Sequence, residues 1–366
     1  MFKITTQKRY RKKIDSFRKE KGILESLNNQ LTANISSLQT NIQSQKEQLK
    51  ILNYKWQHQQ LLWLANDKLA PLFTAKGLLE FEKLKLNLDS LSKQDLDDLY
   101  FLLFLARQYN TLKSKGLTVL VEPKFLALNI QNADSLYKNI ADIYKKYNIS
   151  SNLPALDEVF VTHAGLKFLP PEVIAKLKGT VAFSAGAYWG DSPISLYEYY
   201  NFEKIFGFEP LFSNFQIMES LVNNNNLQNT IIPIQKGLGE KEETLTFQYD
   251  PNIDIAGTNY GGTFINSKTT NKTESLAITT IDQTVAQYNL NKVGFIHLDV
   301  EGFEQPAIRG ALTTIKRDKP VLSVSLYHNF NDFTHIKPLI ESLNLGYKII
   351  IRRLSTTPYE LSLLAY

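Results

Sequence analysis

The sequence predicts an α/β protein whose C-terminal half is a doubly wound, mostly parallel sheet, carried behind a coiled coil and a mainly helical spacer. Three observations lead there. From about residue 175 onward, short apolar runs alternate with segments of mixed polarity, the order that puts helices on the faces of a parallel sheet. The first of those runs, Val181 to Phe183, passes into a small-residue turn, Ser184 to Gly190, and the second ends in Glu209. That order reads as strand, glycine turn, helix, strand and acid, the arrangement that nucleotide-type cofactors use. Finally, polar residues stand at the ends of the apolar runs: Ser184, Glu209, Lys236, Asp299, Glu301, Tyr327 and His328. Open sheets of this kind bind ligands at the carboxyl ends of their strands.

The N-terminal region is of a different character. Residues 1–21 hold nine Lys and Arg residues, Lys3 to Lys21, against Asp15 and Glu20. The net charge of +5 therefore belongs to this arm, and the rest of the chain is slightly acidic, which argues against a specific nucleic-acid binder. The arm reads as the solvated start of a helix or as a weak contact for anionic lipid. It has no apolar core of its own, so it is not a secretory signal. From 14 to 56 two apolar sets recur every seven residues. One is Phe17, Leu24, Leu31, Leu38 and Leu52; the other is Ile14, Ile35, Ile42, Leu49 and Trp56. That seam predicts a coiled coil, and Ile against Leu favours a parallel homodimer.

Residues 61–160 predict helices without evident chemistry. Leu61 to Leu69 is apolar up to Pro71, Ser92-Lys-Gln-Asp95 has the form of a capping box, and Ser135 to Tyr147 is amphipathic. The chain has no cysteine, which excludes disulfides and thiolate metal sites and suits a cytoplasmic location. No apolar run reaches membrane-spanning length. The domain reading is 1–60 basic arm and coiled coil, 61–160 spacer, 161–366 sheet domain.

Within the last of these, helices are predicted at Ser192–Tyr200, Asn214–Val222, Asp282–Tyr288 and Pro306 to about Arg317, with one more before Tyr347. Strands are predicted at Ile231–Gln235, Leu245–Tyr249, Leu276–Thr279, Val293–Leu298, Val321–Leu326, Tyr347–Ile351 and Glu360–Ala365. The polar, Gly-rich stretch 252–271 is long enough to be functional or mobile. Gly186 and Gly190 let the backbone approach a ligand, and Glu209, 19 residues past Gly190, is placed to bond ribose hydroxyls.

Several motifs carry a resemblance: Gly186-Ala-Tyr-Trp-Gly190-Asp191, Phe208-Glu-Pro210, Thr280-Ile-Asp282, Asp299-Val-Glu-Gly302-x-Glu304, Arg309-Gly-Ala, Lys319-Pro-Val-Leu and Leu326-Tyr-His328. In order and spacing, residues 163–366 resemble the FkbM family of S-adenosylmethionine-dependent methyltransferases. The resemblance implies a class I methyltransferase fold, a seven-stranded sheet ending in an antiparallel hairpin, and O-methylation of sugars, surface glycans or related products. It implies that Gly186, Ala187 and Gly190 cradle the methionine part of S-adenosylmethionine, that Glu209 holds the ribose, and that Lys236 and Gly237 lie by the adenine. Asp299 and Glu301 are then expected at the methyl-transfer face. The chain departs from the family pattern at two positions. Ser184 stands where an acid is usual, and His297 where lysine is. Asp191, at the start of the next helix, is a candidate to supply the missing charge.

Methyl transfer to a hydroxyl needs alignment and a base, and Asp299, Glu301 and His328 are the candidates. Asp299 and Glu301 also suit the capping of the helix that follows, and His297 suits a core role in its apolar strand. With five histidines and no cysteine, no catalytic metal site is expected, although Asp and Glu alone could hold Mg²⁺. Two other functions remain open: a non-catalytic coiled-coil scaffold carrying a degenerate methyltransferase domain, and a nucleotide-dependent glycan-modifying enzyme, which would lack a clear D-x-D metal motif.

Overall fold

A computed structural model describes residues 64–114, 140, 142–149, 157–249, 272–355 and 360–366. The heptad helix over 14–56, the basic arm and the Gly-rich stretch 252–271 lie outside these residues. The chain divides into residues 1–56 and 57–366, and the following concerns the second unit.

Seven strands form the main sheet: β1 (Val181–Ala185), β2 (Lys204–Phe208), β3 (Ile231–Ile234), β7 (Val293–Leu298), β8 (Val321–Ser325), β9 (Ile349–Arg353) and β10 (Leu361–Ala365). Their spatial order is β3-β2-β1-β7-β8-β10-β9. The pairs from β3 to β8 are parallel, and β10 runs antiparallel to both β8 and β9. The parallel part is what the alternation of strands and helices predicts, and the final antiparallel hairpin is what the family resemblance implies. The chain order reverses between β1 and β7, and there the strands are buried on both faces, as parallel strands covered by helices must be. A second sheet joins β4 (Gly237–Leu238), β6 (Lys272–Thr279) and β5 (Glu243–Tyr249) in that order.

Among the described residues, α-helical segments include α1 (Ala75–Leu84), α2 (Ser90–Ser114), α3 (Pro171–Ala175), α4 (Asp191–Tyr199), α5 (Phe212–Asn224), α6 (Ile281–Gln287), α7 (Glu304–Arg309), α8 (Leu312–Asp318) and α9 (Phe330–Ser342). One face of the sheet, through Phe183, Ile296 and Leu322, shares a buried cluster with α9 and with Leu64 to Ala106. The other, through Ala182, Phe295 and Val321, packs with α4, α5 and residues 159–169. No helix among the described residues is long and apolar enough to cross a membrane.

Three local expectations differ from what is observed. The cap of α2 is Asp89, whose Oδ1 accepts the Ser92 N–H at 2.7 Å. Ser92 is instead fully buried, its Oγ accepting the Ile351 N–H at 2.9 Å and an Arg352 N–H at 2.7 Å. A side chain read as a helix start therefore pins the spacer helix to β9. The single helix expected from Pro306 is two. A Cβ on Gly310 would lie 2.0 Å from the Gly239 carbonyl oxygen, so the backbone there carries no side chain and α7 ends. Asp282 then opens α8, accepting the Thr313 and Thr314 N–H groups at 2.9 and 2.8 Å. Helix α1, absent from the sequence reading, starts with Thr74 accepting the Gly77 N–H at 3.0 Å.

Candidate active site

The strand ends at the reversal of chain order are drawn tightly together. The Asp299 N–H donates to the Ala185 carbonyl at 3.1 Å. A Cβ on Gly186 would sit 1.9 Å from the Asp299 carbonyl oxygen, and Gly186 has φ +76°, so both space and conformation require glycine there. The turn is held from the other side by β2. Gly186 and Ala187 donate to the Phe208 carbonyl at 3.1 and 3.0 Å, and Tyr188 donates to Glu209 Oε2 at 3.0 Å. The other Glu209 oxygen accepts the Leu211 N–H at 3.0 Å. Glu209 thus braces the glycine turn and the start of α5 at once. Burial pushes its carboxyl up to about 8, against the pull of those two N–H groups.

Gly190, with φ +93°, precedes α4, and Asp191 is its buried first residue. Burial raises Asp191 to about 7. Ser184 lies one residue inside β1, fully buried, and its Oγ has no hydrogen-bond partner. Lys236 is half-buried past β3, and a Cβ on Gly237 would come within 3.7 Å of Pro210, next to Glu209. Gly237 itself begins β4 of the small sheet.

On the β7–β8 side a chain of ionisable groups forms. The Tyr327 hydroxyl donates to Asp299 Oδ2 at 3.2 Å. His328 Nε2 is 3.2 Å from Asp299 Oδ1, and His328 Nδ1 is 2.7 Å from Glu304 Oε1. Glu304 Oε1 also accepts the Val300 N–H at 2.9 Å, and Gln305 and Asn329 both bond the Asp332 carboxylate. Burial opposes charge on His328, but Glu304, Glu301 and Asp299 outweigh it and push the imidazole up to about 10. Burial raises Asp299 above the ordinary carboxylate range, helped by the charge of Glu158 and opposed by that of His328. Asp299 keeps 20% of its side chain exposed while Glu304 keeps none, so Asp299 is the end of this chain that a second molecule can reach. Glu301 stands at the rim, half exposed, 3.7 Å from His328 Nε2, on a residue with φ +55°.

Neither Asp299 nor Glu301 caps α7, whose N-cap is Phe303 with no side-chain bond. His297 is buried in β7, with Nε2 3.3 Å from Glu158 Oε1. Asp299, Glu304 and His328 lie close enough to share a metal ion. The two carboxylates, however, approach opposite ring nitrogens, a geometry that suits a proton relay better than one coordination shell. Glu304 was visible in the sequence only as a motif letter; its role depends on α7 turning it back under His328. Asp332 and Glu158 had no sequence signal.

Residues 184–349 match the model of the methyltransferase FkbM domain. Among solved structures, the chain is similar to the methyltransferase FkbM of Methylobacillus flagellatus KT, with 19% identity and a TM-score of 0.50 over 83% of this chain. It spans 61% of that protein's length. It is also similar to an O-methyltransferase of Bacillus cereus in complex with SAH, at 11% identity and a TM-score of 0.36, over 63% of this chain and 90% of that one. A comparison with curated proteins gives no match. The strand ends described above lie within residues 184–349, the stretch that matches the methyltransferase FkbM domain.

Proposed function

We propose that the chain is an S-adenosylmethionine-dependent O-methyltransferase acting on a hydroxyl of a sugar or surface glycan. The observation that carries the reading is the linked set Tyr327, Asp299, His328 and Glu304 at the strand ends, beside the glycine turn that Glu209 braces. The donor set fits the cofactor. Glu209 and Asp191 are buried and Asp299 is half-buried, all three carboxyls are raised by desolvation, and among the described residues none has a Lys or Arg partner. A ligand with a sulfonium and an ammonium supplies that counter-charge, and the second lone pair of each Glu209 oxygen suits ribose hydroxyls. When bound, the cofactor supplies an electrophilic methyl group.

The chain's own residues do the rest. Gly186, Ala187 and Gly190 shape the cradle, and Lys236 and Gly237 flank the Glu209 corner where an adenine would lie. Asp299 faces the acceptor and takes the proton of its hydroxyl. Its raised affinity for a proton suits work near neutral pH, and the His328 imidazolium keeps it ionised between turnovers. Asp299 and His328 titrate as one unit. Glu304 fixes the ring by its Nδ1–H, as a carboxylate does for a catalytic histidine. Glu301, at the rim, is placed to meet the acceptor rather than the proton. The glycan class rests on the family resemblance.

The test is a titration of the full chain with S-adenosylhomocysteine, followed by transfer of labelled methyl from S-adenosylmethionine to sugar acceptors. Absence of binding would favour the scaffold reading, which Ser184 and the long heptad seam support. We propose further that the heptad seam over 14–56 makes a homodimer and that the basic arm gives weak contact with anionic membrane on the cytoplasmic side. Light scattering showing a monomer at tens of micromolar would remove the dimer, and failure to sediment with anionic vesicles the membrane contact.

A further inference from the structure

Glu158 lies in the turn Asp157–Val161, 26 residues before the matched domain begins. It is 6% exposed. The turn is tied to α4, since Ser195 Oγ donates to the Val159 carbonyl at 2.6 Å. Glu158 thus reaches His297 Nε2 at 3.3 Å over the sheet face that α4 covers. On that face His297 of β7 pairs laterally with Ser184 of β1 and with Ser323 of β8. Ser325 follows two residues along β8. Four buried polar atoms therefore crowd one patch with no hydrogen-bond partner: Ser184 Oγ, His297 Nδ1, Ser323 Oγ and Ser325 Oγ. Buried polar atoms are normally satisfied, so a cluster of exceptions points to something they bind. The patch adjoins the glycine turn, and its charges are mostly acidic. Beyond burial, the negative charge of Glu158 raises the proton affinity of Asp299 and of Asp191.

The register gives this a simple form. Ser184 and His297 are direct neighbours across β1 and β7, and the carboxylate that meets this pair comes from Glu158 on another segment, 3.3 Å from His297 Nε2.

We propose that Glu158 is a cofactor-positioning residue, holding His297 and lending the negative charge that receives the ammonium-bearing amino-acid end of the cofactor against the Ser184, Ser323 and Ser325 hydroxyls. The proposal rests on the cofactor reading above. It assigns a role to a residue outside the FkbM domain and to a serine that otherwise marks a degenerate site.

Calorimetry on the full chain tests it with two probes, S-adenosylhomocysteine and 5′-methylthioadenosine, which lacks the amino-acid end. Glu158→Gln is expected to weaken S-adenosylhomocysteine about tenfold or more and methylthioadenosine by less than about twofold. Adding Ser184→Asp to that variant is expected to restore most of the loss. Unchanged affinity for S-adenosylhomocysteine, equal losses for both probes, or no rescue overturns the proposal while leaving the cofactor reading in place. A wild type that binds neither probe removes that reading, and the proposal with it. Should Glu158→Gln not fold, Ser184→Asp in the otherwise unchanged chain decides. Set against Glu158, the new acid is expected to weaken S-adenosylhomocysteine alone, and tighter binding would overturn the proposal.

Discussion

Replacing Glu304 with glutamine should flatten the alkaline limb of the stability curve. Glu304 is fully buried 2.7 Å from His328 Nδ1 and is the foremost charge holding that imidazole at about 10 instead of 6.5. A group held above its ordinary value stabilises the fold fully below that value and loses the contribution as pH rises through the raised one. For His328 the loss therefore runs from pH 6.5 to about 10. At an effective dielectric of about 20, a unit charge about 4 Å away contributes about 4 kcal/mol, or about three pKa units at 1.36 kcal/mol each. Without Glu304 the imidazole should fall to near 7. Between pH 7.5 and 10 the wild type should then lose about 3 kcal/mol that the variant does not. At pH 7.5 the variant should be the less stable protein, since its imidazole, by then mostly neutral, has lost the charged partner that Glu304 provides in the wild type. The gap should narrow as pH rises. Asp332, which burial and Glu304 raise to about 7, titrates mostly below this window. Glu209, at about 8, contributes to both proteins and cancels. Urea unfolding of both at quarter-unit intervals of pH gives the two curves. Parallel curves would refute the reasoning, because His328 would then owe nothing to Glu304.

Three further outcomes are expected. Glu209→Ala should lower S-adenosylhomocysteine affinity about tenfold or more by calorimetry, since ribose hydroxyls would lose a charged acceptor; equal affinity would place the cofactor elsewhere. Asp299→Asn keeps size and loses the base, so turnover should fall by about 10²–10⁴ with cofactor affinity within several-fold, and unchanged turnover would exclude Asp299 as the proton acceptor. Gly186→Ala must place a Cβ where only 1.9 Å separates it from the Asp299 carbonyl oxygen, at a φ that alone costs about 1–2 kcal/mol. It should melt well below the wild type and bind no cofactor, and a wild-type melting temperature would mean that the β1–β7 contact is looser than drawn.

The central strands were legible because each is a short apolar run buried on both faces; β7 and β8 could be read almost to the residue, while β1 runs two residues further, through Ser184 and Ala185, than its apolar run suggests. Gly186 and Gly190 were legible because steep turns allow few residues, and Glu209 because it ends a strand at a known distance from them. The helix breaks were less so. Gly310 ends α7 because the Gly239 backbone comes up against it, and Ser92 is buried because Arg352 and Ile351 arrive from the far end of the chain. Local pattern contains neither approach. The same holds for the site. Asp299 and His328 could be named as candidates from their strand ends, but not Glu304 as the partner that fixes the ring, nor Glu158, 139 residues from His297. Periodicity records which side of an element is buried. It does not record which distant charge that side meets, and the proton affinity of a buried group is decided by those neighbours and by the loss of water around it.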